Sequence, residues 1–294
     1  MELLYGKPVA EKILAEVKTR IRESGITPGL SVVLIGDDAA SRLYVGLKEK
    51  AAKLVGIRFE KFLLPASVTI SEIFRCIDEL NGRSDIHGII VQLPLPLGLP
   101  TDEIIAHIDP DKDTDGFHEE TLQRFLQGEH AACPVFPRAV VELVRESGTS
   151  FTGEKGLVLA NSELLGKVMT QAIMLEGLQS EYALSSDSKE KIISKAKKAR
   201  VVVTACGIPN FITGAMLAED AIVIDGGIST VGGKVVGDVE RESVVAKAAF
   251  LSPVPGGVGP VTVATLLDRV TDAALHQARK VLQKEKQDEP KPIL

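Results

Sequence analysis

Short apolar runs rich in β-branched residues alternate along most of the chain with longer stretches whose apolar positions recur every three to four residues. The short runs, at 30–35, 57–63, 87–93, 156–160, 181–184, 200–205, 221–225 and 250–252, predict strands. The longer stretches, at 10–23, 39–55, 70–81, 164–178 and 189–199, predict amphipathic helices. Such alternation predicts parallel sheets covered by helices, an α/β fold. Residues 262–283 read as a long helix with no strand after it. The tail 284–294 is charged and proline-bearing, and is expected to fray.

The alternation breaks at 128–137, where Gly, Pro and polar residues cluster. That places a domain boundary there, with Pro137 in the first turn of a linking helix over 138–146. The second unit opens on Leu157-Val-Leu-Ala followed by Asn161-Ser-Glu-Leu-Leu-Gly166, a strand–turn–helix. In that geometry a helix N-terminus faces a pyrophosphate, although the turn lacks the full glycine fingerprint and many such turns bind nothing.

Composition narrows the classes. At 294 residues the chain has room for two domains, and 45% hydrophobic with 25% charged residues is ordinary globular usage. A net charge of −6 offers no broad basic surface for nucleic acid. Cys76, Cys133 and Cys206 are odd in number and far apart, which indicates neither a zinc site nor a disulfide framework and suits a reducing compartment. No leader and no membrane-spanning run is read, so the expected setting is the cytoplasm.

Four segments carry candidate chemistry. In Gly36-Asp-Asp-Ala-Ala-Ser-Arg-Leu-Tyr-Val-Gly-Leu-Lys48, Asp38 is placed to cap a helix on which Tyr44 and Lys48, four apart, share a face. An exposed lysine beside a half-buried tyrosine is common on any helix, but this pair follows a strand's carboxyl end, where α/β proteins bind ligands. In Val91-Gln-Leu-Pro-Leu-Pro96 a buried strand ends on Gln92, either a hydrogen-bonding group of a site or a partner for loose backbone. Asp109-Pro-Asp-Lys-Asp-Thr-Asp-Gly-Phe-His118 has four aspartates in seven residues but not the spacing of a calcium loop. It reads better as an acidic loop for a cationic or amidine-like heterocycle, with helix capping expected for all but one or two carboxylates. Pro253-Val-Pro-Gly-Gly-Val-Gly-Pro-Val-Thr262 is a shaped loop, either a tight connection or a pocket wall.

Together, Tyr44 to Lys48, Val91 to Pro96, Asp113-Thr-Asp-Gly-Phe117 and Pro253 to Thr262 resemble the signature segments of the methylenetetrahydrofolate dehydrogenase/cyclohydrolase family, in order and with family-like spacing over about 4–275. The resemblance implies two α/β domains with a cleft between them. One, residues 1–136 completed by the helix at 263–283, would bind folate; the other, 137–262, would be a Rossmann-like NAD(P)-binding domain, with 284–294 a flexible tail. It implies oxidation of 5,10-methylenetetrahydrofolate with NAD or NADP, then hydrolysis of the methenyl cation to 10-formyltetrahydrofolate. Tyr44 would stack on the folate, Lys48 would move protons, Gln92 would hold Lys48, and Asp115 would pair with the pterin. Pro253, Pro255, Gly256 and Gly257 would line the substrate cleft. Ala160, Asn161, Ser162, Gly166, Ser185, Cys206, Gly207 and Ile228 would contact the dinucleotide. A homodimer formed through the second domain is implied, with no metal.

The second domain departs from the family pattern. Ala160-Asn161-Ser162 stands for the usual Gly-Arg-Ser, and Leu184-Ser-Ser-Asp187 for His-Ser-Arg/Lys-Thr. Two basic groups for a 2′-phosphate are absent and Asp187 adds an acid, so NAD is expected to be preferred over NADP. Ala160 is expected to put a methyl near the cofactor, and Pro134-Val-Phe-Pro137 replaces Pro-Cys-Thr-Pro at the hinge. Two other readings stay open: a monofunctional cyclohydrolase with a degraded dinucleotide site, and a non-catalytic folate-binding relative. Lys48 counts against the last, since binding alone does not need it.

Overall fold

A computed structural model describes residues 1–288. In chain order the strands are β1 Glu2–Leu3, β2 Gly29–Ile35, β3 Arg58–Leu64, β4 Gly88–Val91, β5 Lys155–Ala160, β6 Gln179–Leu184, β7 Val201–Ala205, β8 Ala221–Asp225, β9 Ser229–Val231, β10 Lys234–Val236 and β11 Ala248–Ser252. The helices are α1 Gly6–Ser24, α2 Ala39–Val55, α3 Ile70–Asn81, α4 Thr101–Ala106, α5 Glu119–Leu126, α6 Val135–Glu146, α7 Glu163–Met174, α8 Lys189–Ala196, α9 Arg241–Val244 and α10 Val258–Asp288. The helices predicted at 39–55 and 70–81 match α2 and α3 residue for residue. Where a helix was expected from residue 262, α10 starts at Val258, inside the Pro/Gly segment, because Gly259 and Pro260 fall in its first turn, where neither breaks a helix. It runs on through Asp288, so the tail predicted from 284 is helical to that point, and 289–294 lie outside the described residues.

The chain divides into two compact units, one of Met1–Lys12 with Leu122–Thr265, the other of Ile13–Thr121 with the chain from Leu266 onward. These limits differ from 137 and 263 for a reason that periodicity does not carry. Strand β1 pairs in parallel with β11, Glu2 opposite Phe250 and Leu3 opposite Leu251, so the first residues belong to the later sheet.

The unit of 13–121 holds a three-stranded parallel sheet in the order β3-β2-β4. β2 is buried at all seven positions, which is why it reads as an unbroken apolar run rather than an alternating one. Val33, Ile35, Ile89 and Val91 pack with Ile73, Ile77 and Leu80 of α3. α3 starts at a capping box in which Thr69 and Glu72 bond each other's backbone. Its C-terminal end is closed by Lys112, only 7% exposed, whose Nζ donates to the carbonyls of Leu80 (3.1 Å), Asn81 (2.6 Å) and Arg83 (2.7 Å). A cation there meets the negative end of the helix dipole. Lys112→Met is expected to cost about 2 kcal/mol, since buried carbonyls lose their donor. Urea denaturation checks this, and a change below ~0.5 kcal/mol would contradict it.

The other unit holds a six-stranded, wholly parallel sheet in the order β1-β11-β8-β7-β5-β6. Its core includes Leu157, Leu159, Val202 and Val223 with Ile192 and Ala196 of α8. The β9–β10 hairpin, turning on Gly232 and Gly233 at positive φ, stands outside that sheet.

Candidate active site

Each sheet has a point at which its strand order reverses. From β2 the chain goes to β3 on one side and to β4 on the other; from β5 it goes to β6 on one side and to β7 on the other. The crevice beyond the carboxyl ends of such strands is where open α/β sheets bind ligands.

In the unit of 13–121 the residues at that point are those of the first two motifs. Asp38 caps α2, accepting from the Ser41 amide at 2.7 Å, and Gly56 closes the helix in the left-handed region. Capped at both ends, α2 buries Val45, Ala52 and Val55, and its Tyr44 and Lys48 lie half-buried one turn apart. Lys48 Nζ donates to Gln92 Oε1 at 3.0 Å. Gln92 follows β4; its own amide donates to Val33 O at 2.9 Å and its Nε2 to Leu93 O at 2.6 Å. With Nε2 so engaged, the side chain's orientation is fixed and Oε1 is left facing the lysine.

The acidic loop sorts into structural and unassigned carboxylates. Asp109 accepts from the Asp111 amide, and Asp113 from the amides of Gly116 and His118, both at 2.9 Å. These are the capping roles expected for most of the four. Asp111 pairs with Lys280 at 2.6 Å. Asp115 caps nothing in this loop; with Phe117 it lines a small recess beside Leu93, Ile105 and Ile108.

Burial pushes the Lys48 amine below the ordinary lysine value, and the charge on Asp115 pulls it partly back. Burial pushes Asp115 up; Lys48 opposes this, Asp113 adds to it, and Arg269 opposes it again. The result is an amine shifted down and a carboxyl group shifted up, each disfavoured by burial in its charged form and each supported by the charge of the other. Arg269 is absent from the sequence candidates. The available signal was a single arginine in the apolar middle of a helix, where it is 9% exposed.

In the other unit, β5 ends on Ala160, and Ser162 caps α7, its Oγ accepting from the Leu165 amide at 3.4 Å. The amides of Glu163 and Leu164 have no partner within the helix, as in any first turn. A Cβ on Gly166 would fall 2.7 Å from the Tyr182 ring, so this glycine seats α7 closely on β6. Ser185 follows β6, its amide bonded to Ala160 O at 2.9 Å, and Ile228 is an exposed residue after β8.

One expectation needs correction here. Ala160 is fully buried in its strand, so its methyl packs the core instead of meeting a cofactor. The Cys206 thiol is likewise buried, 3.7 Å from Thr204 Oγ1, and burial pushes it up to about 11, so it offers a ligand backbone and not sulfur. At the hinge, Phe136 lies where a Cβ on Gly226 would stand, 2.8 Å from the ring.

Two buried aspartates shape this end of the sheet. Asp238, 0% exposed, accepts from Thr204 Oγ1 (2.8 Å), the Cys206 amide (2.6 Å) and the Ile208 amide (2.8 Å). Asp225 accepts from the amides of Gly227 (3.0 Å), Asp238 (3.0 Å) and Val239 (3.1 Å). Glycines make room for both: a Cβ on Gly227 would sit 2.2 Å from the Asp238 carboxyl carbon, and one on Gly237 2.0 Å from an Asp225 oxygen. Loss of water outweighs these bonds at Asp225 and raises its pKa to about 6.

The Pro/Gly loop after β11 belongs to this same unit and not to that of Lys48. Gly256, at φ +105°, accepts from the Gly6 amide at 2.8 Å, and a Cβ on Gly6 would fall 1.8 Å from Gly257 O. Its shape thus serves the N-terminal strand β1 and the turn that follows it.

A parallel six-stranded sheet with a capped helix N-terminus at its switch point is the architecture of dinucleotide-dependent dehydrogenases, and this chain is of that class, with a separate amine–amide–carboxylate site in its other unit. Comparison with known proteins makes this more particular. Residues 4–115 match the catalytic-domain model, and 134–278 the NAD(P)-binding-domain model, of tetrahydrofolate dehydrogenase/cyclohydrolase, and the chain belongs to that family. It is 41% identical to the bifunctional protein FolD of Nitratiruptor over 95% of this chain and all of that one. The crystal structure of the FolD dehydrogenase/cyclohydrolase of Campylobacter jejuni superposes with a TM-score of 0.88 at 33% identity, covering 94% of this chain and 99% of that one. The Trypanosoma brucei enzyme, solved with NADP and an inhibitor, is 32% identical with a TM-score of 0.88 over 94% and 98%. The two activities in the family's name, NAD(P)-linked oxidation of 5,10-methylenetetrahydrofolate and hydrolysis of the methenyl product, are the function of this chain.

Proposed function

We propose that Lys48, Gln92 and Asp115 carry the hydrolysis, with Tyr44 stacked on the folate one helical turn away. The observation that carries this is the Lys48 Nζ–Gln92 Oε1 bond, made by an amide locked in one orientation. An amine donating there keeps its lone pair, once neutral, for the attacking water. The methenyl substrate is a cation, which disfavours a second positive charge and adds to the effect of burial on Lys48. Neutral Lys48 then takes one proton as water adds to the methenyl carbon and returns it to the departing ring nitrogen as the adduct opens, while the adduct's hydroxyl proton passes to solvent as the formyl C=O forms, so that one proton is released overall. Asp115 pairs with the donor edge of the aminopyrimidinone ring. Pro253, Pro255, Gly256 and Gly257 are assigned to substrate binding on the resemblance alone.

The backbone at the β5–α7 turn fits a dinucleotide: first-turn amides for the pyrophosphate, Ser162 as the cap, Gly166 for close packing, and the backbone of Asn161, Cys206 and Gly207. Ser185, which follows β6, and Ile228, exposed after β8, are assigned to the dinucleotide on the resemblance alone. When bound, the oxidised dinucleotide accepts the hydride that the methylene carbon gives up. Adding 5,10-methylenetetrahydrofolate with NAD or NADP and following reduced cofactor tests the dehydrogenase half; methenyl decay without dinucleotide tests the other. Decay with no reduced cofactor from either dinucleotide would leave the monofunctional reading.

NAD is expected to be preferred. Asp187 turns back on its own loop, accepting from the Leu184 amide at 3.0 Å and pairing with Lys191 at 2.8 Å, and Lys195 pairs with Glu181. These two lysines of α8 are therefore balanced, and a 2′-phosphate gains little positive charge from them. We expect kcat/KM for NAD to exceed that for NADP by about tenfold, equivalent to one modest charge interaction. Steady-state assays with the two cofactors decide it, and an NADP preference would overturn it.

A cytoplasmic enzyme is also proposed, in keeping with three cysteines that form no disulfide, as is a homodimer formed through the unit that carries β6. Sedimentation analysis tests the dimer.

A further inference from the structure

We propose that Arg269 is a positioning residue for Asp115, a permanent cation that fixes the turn before it and remains as its counter-charge when Lys48 is neutral. The inference rests on the hydrolytic reading of the Lys48 site and adds to it a residue from a distant part of the chain.

Arg269 lies on α10, and its Nε donates to Thr114 O at 2.9 Å while Nη2 donates to Asp113 O at 3.3 Å. One planar guanidinium thus spans the two carbonyls immediately before Asp115, a geometry suited to its rigid fork. The same turn is held elsewhere: Asp113 bonds the amides of Gly116 and His118, and Thr114 lies against Gly88, where a Cβ would come within 2.7 Å of its side chain. Asp115 is the member of this turn whose carboxylate is left for a ligand.

Burial acts most strongly on Asp115 and pushes it up; among the charged groups Lys48 from α2 comes first, then Asp113 from its own turn, and Arg269 from α10 acts least. Asp113 is repulsive. Lys48 is attractive only while protonated, and acid–base work requires it to lose that proton in each turnover. At that stage a half-buried carboxylate facing only another carboxylate would take up a proton, and its charge-assisted bonds to the ring would weaken. Arginine does not titrate in the working range, so its attraction persists through the cycle. Arg269 thereby offsets part of the cost of an ionised Asp115 while Lys48 is neutral.

Three measurements test this. In the wild-type protein, carboxyl-13C NMR of Asp115, assigned with Asp115→Asn, is expected to show an ionised group across the pH range in which Lys48 titrates. Proton uptake by Asp115 within that range overturns the proposal. This experiment uses no substrate, so its outcome is separate from the hydrolysis assay: a wild-type protein that does not hydrolyse 5,10-methenyltetrahydrofolate removes the functional reading instead. Second, Arg269→Met, with folding verified by circular dichroism, is expected to raise KM for 5,10-methenyltetrahydrofolate about tenfold, with a smaller change in kcat. The acid limb of kcat/KM should move up by about one pH unit. Third, Arg269→Lys is expected to return that limb toward its wild-type position while recovering KM only in part. An unchanged KM in folded Arg269→Met, or a rise that is equal at every pH and not relieved by lysine, overturns the charge role. If Arg269→Met does not fold, the NMR titration and the lysine variant decide.

Discussion

Replacement of Lys48 by methionine is expected to lower hydrolysis of 5,10-methenyltetrahydrofolate by about 10²- to 10⁴-fold, the range over which a positioned acid–base group acts. Methionine keeps the length and much of the volume of the lysine stem, so α2 and its packing against the sheet should stand. What it removes is the group bonded to Gln92 Oε1. Affinity for a tetrahydrofolate ligand, measured by calorimetry, should change little. The pH profile of the wild-type enzyme bears on the same role. Burial depresses the Lys48 pKa, so the neutral amine is available at lower pH than for an exposed lysine. Activity should therefore rise with pH through that depressed value and level off above it. A Lys48→Met variant that hydrolyses at near wild-type rate, or a wild-type profile that falls across this range, would show that proton transfer runs through another group.

The second large effect is expected in the other unit. Asp238→Ala leaves the buried Thr204 hydroxyl and Cys206 amide, and the part-buried Ile208 amide, without their acceptor. At about 1–3 kcal/mol for each buried group left unsatisfied, with partial relaxation, a loss of about 4 kcal/mol is expected. The segment that opens is the one after β7, where the dinucleotide is proposed to bind. Reduced-cofactor formation should fall with stability, while the methenyl assay at low temperature should still detect the Lys48 site, which belongs to the other unit. Asp238→Asn keeps one acceptor oxygen and should lie between alanine and wild type. Thermal melts and NAD titration measure both. A melting temperature within about 2 °C of wild type for Asp238→Ala would mean that the network contributes little.

Much of this was legible in the sequence where a local pattern decides the outcome. Asp38, the 39–55 and 70–81 helices and the Ser162 turn follow from caps and periodicity, interactions contained within a few residues. Lys48 and Gln92 stood out because each follows a strand end. Sequence patterns failed where partners are far apart in the chain. Arg269 meets Thr114 across 155 residues, and no spacing rule connects them. Asp225 and Asp238 were visible as residues, but their mutual bracketing through Gly227 and Gly237 is not. Ala160 was placed in contact with a ligand because its segment is near one, yet β5 is buried on both faces and its side chain packs inside.

Strand β1 also bears on how the chain is made. Its partner β11 emerges from the ribosome roughly 250 residues later, so β1 waits for that distant strand before its hydrogen bonds can form. Until then Glu2–Leu3 has no sheet to join, and after β11 docks, its outer edge stays open unless β1 closes it. A bulky group attached beside Glu2 would therefore press on this long-range pairing, whereas the nascent sheet of residues 29–91 can assemble early from neighbouring strands.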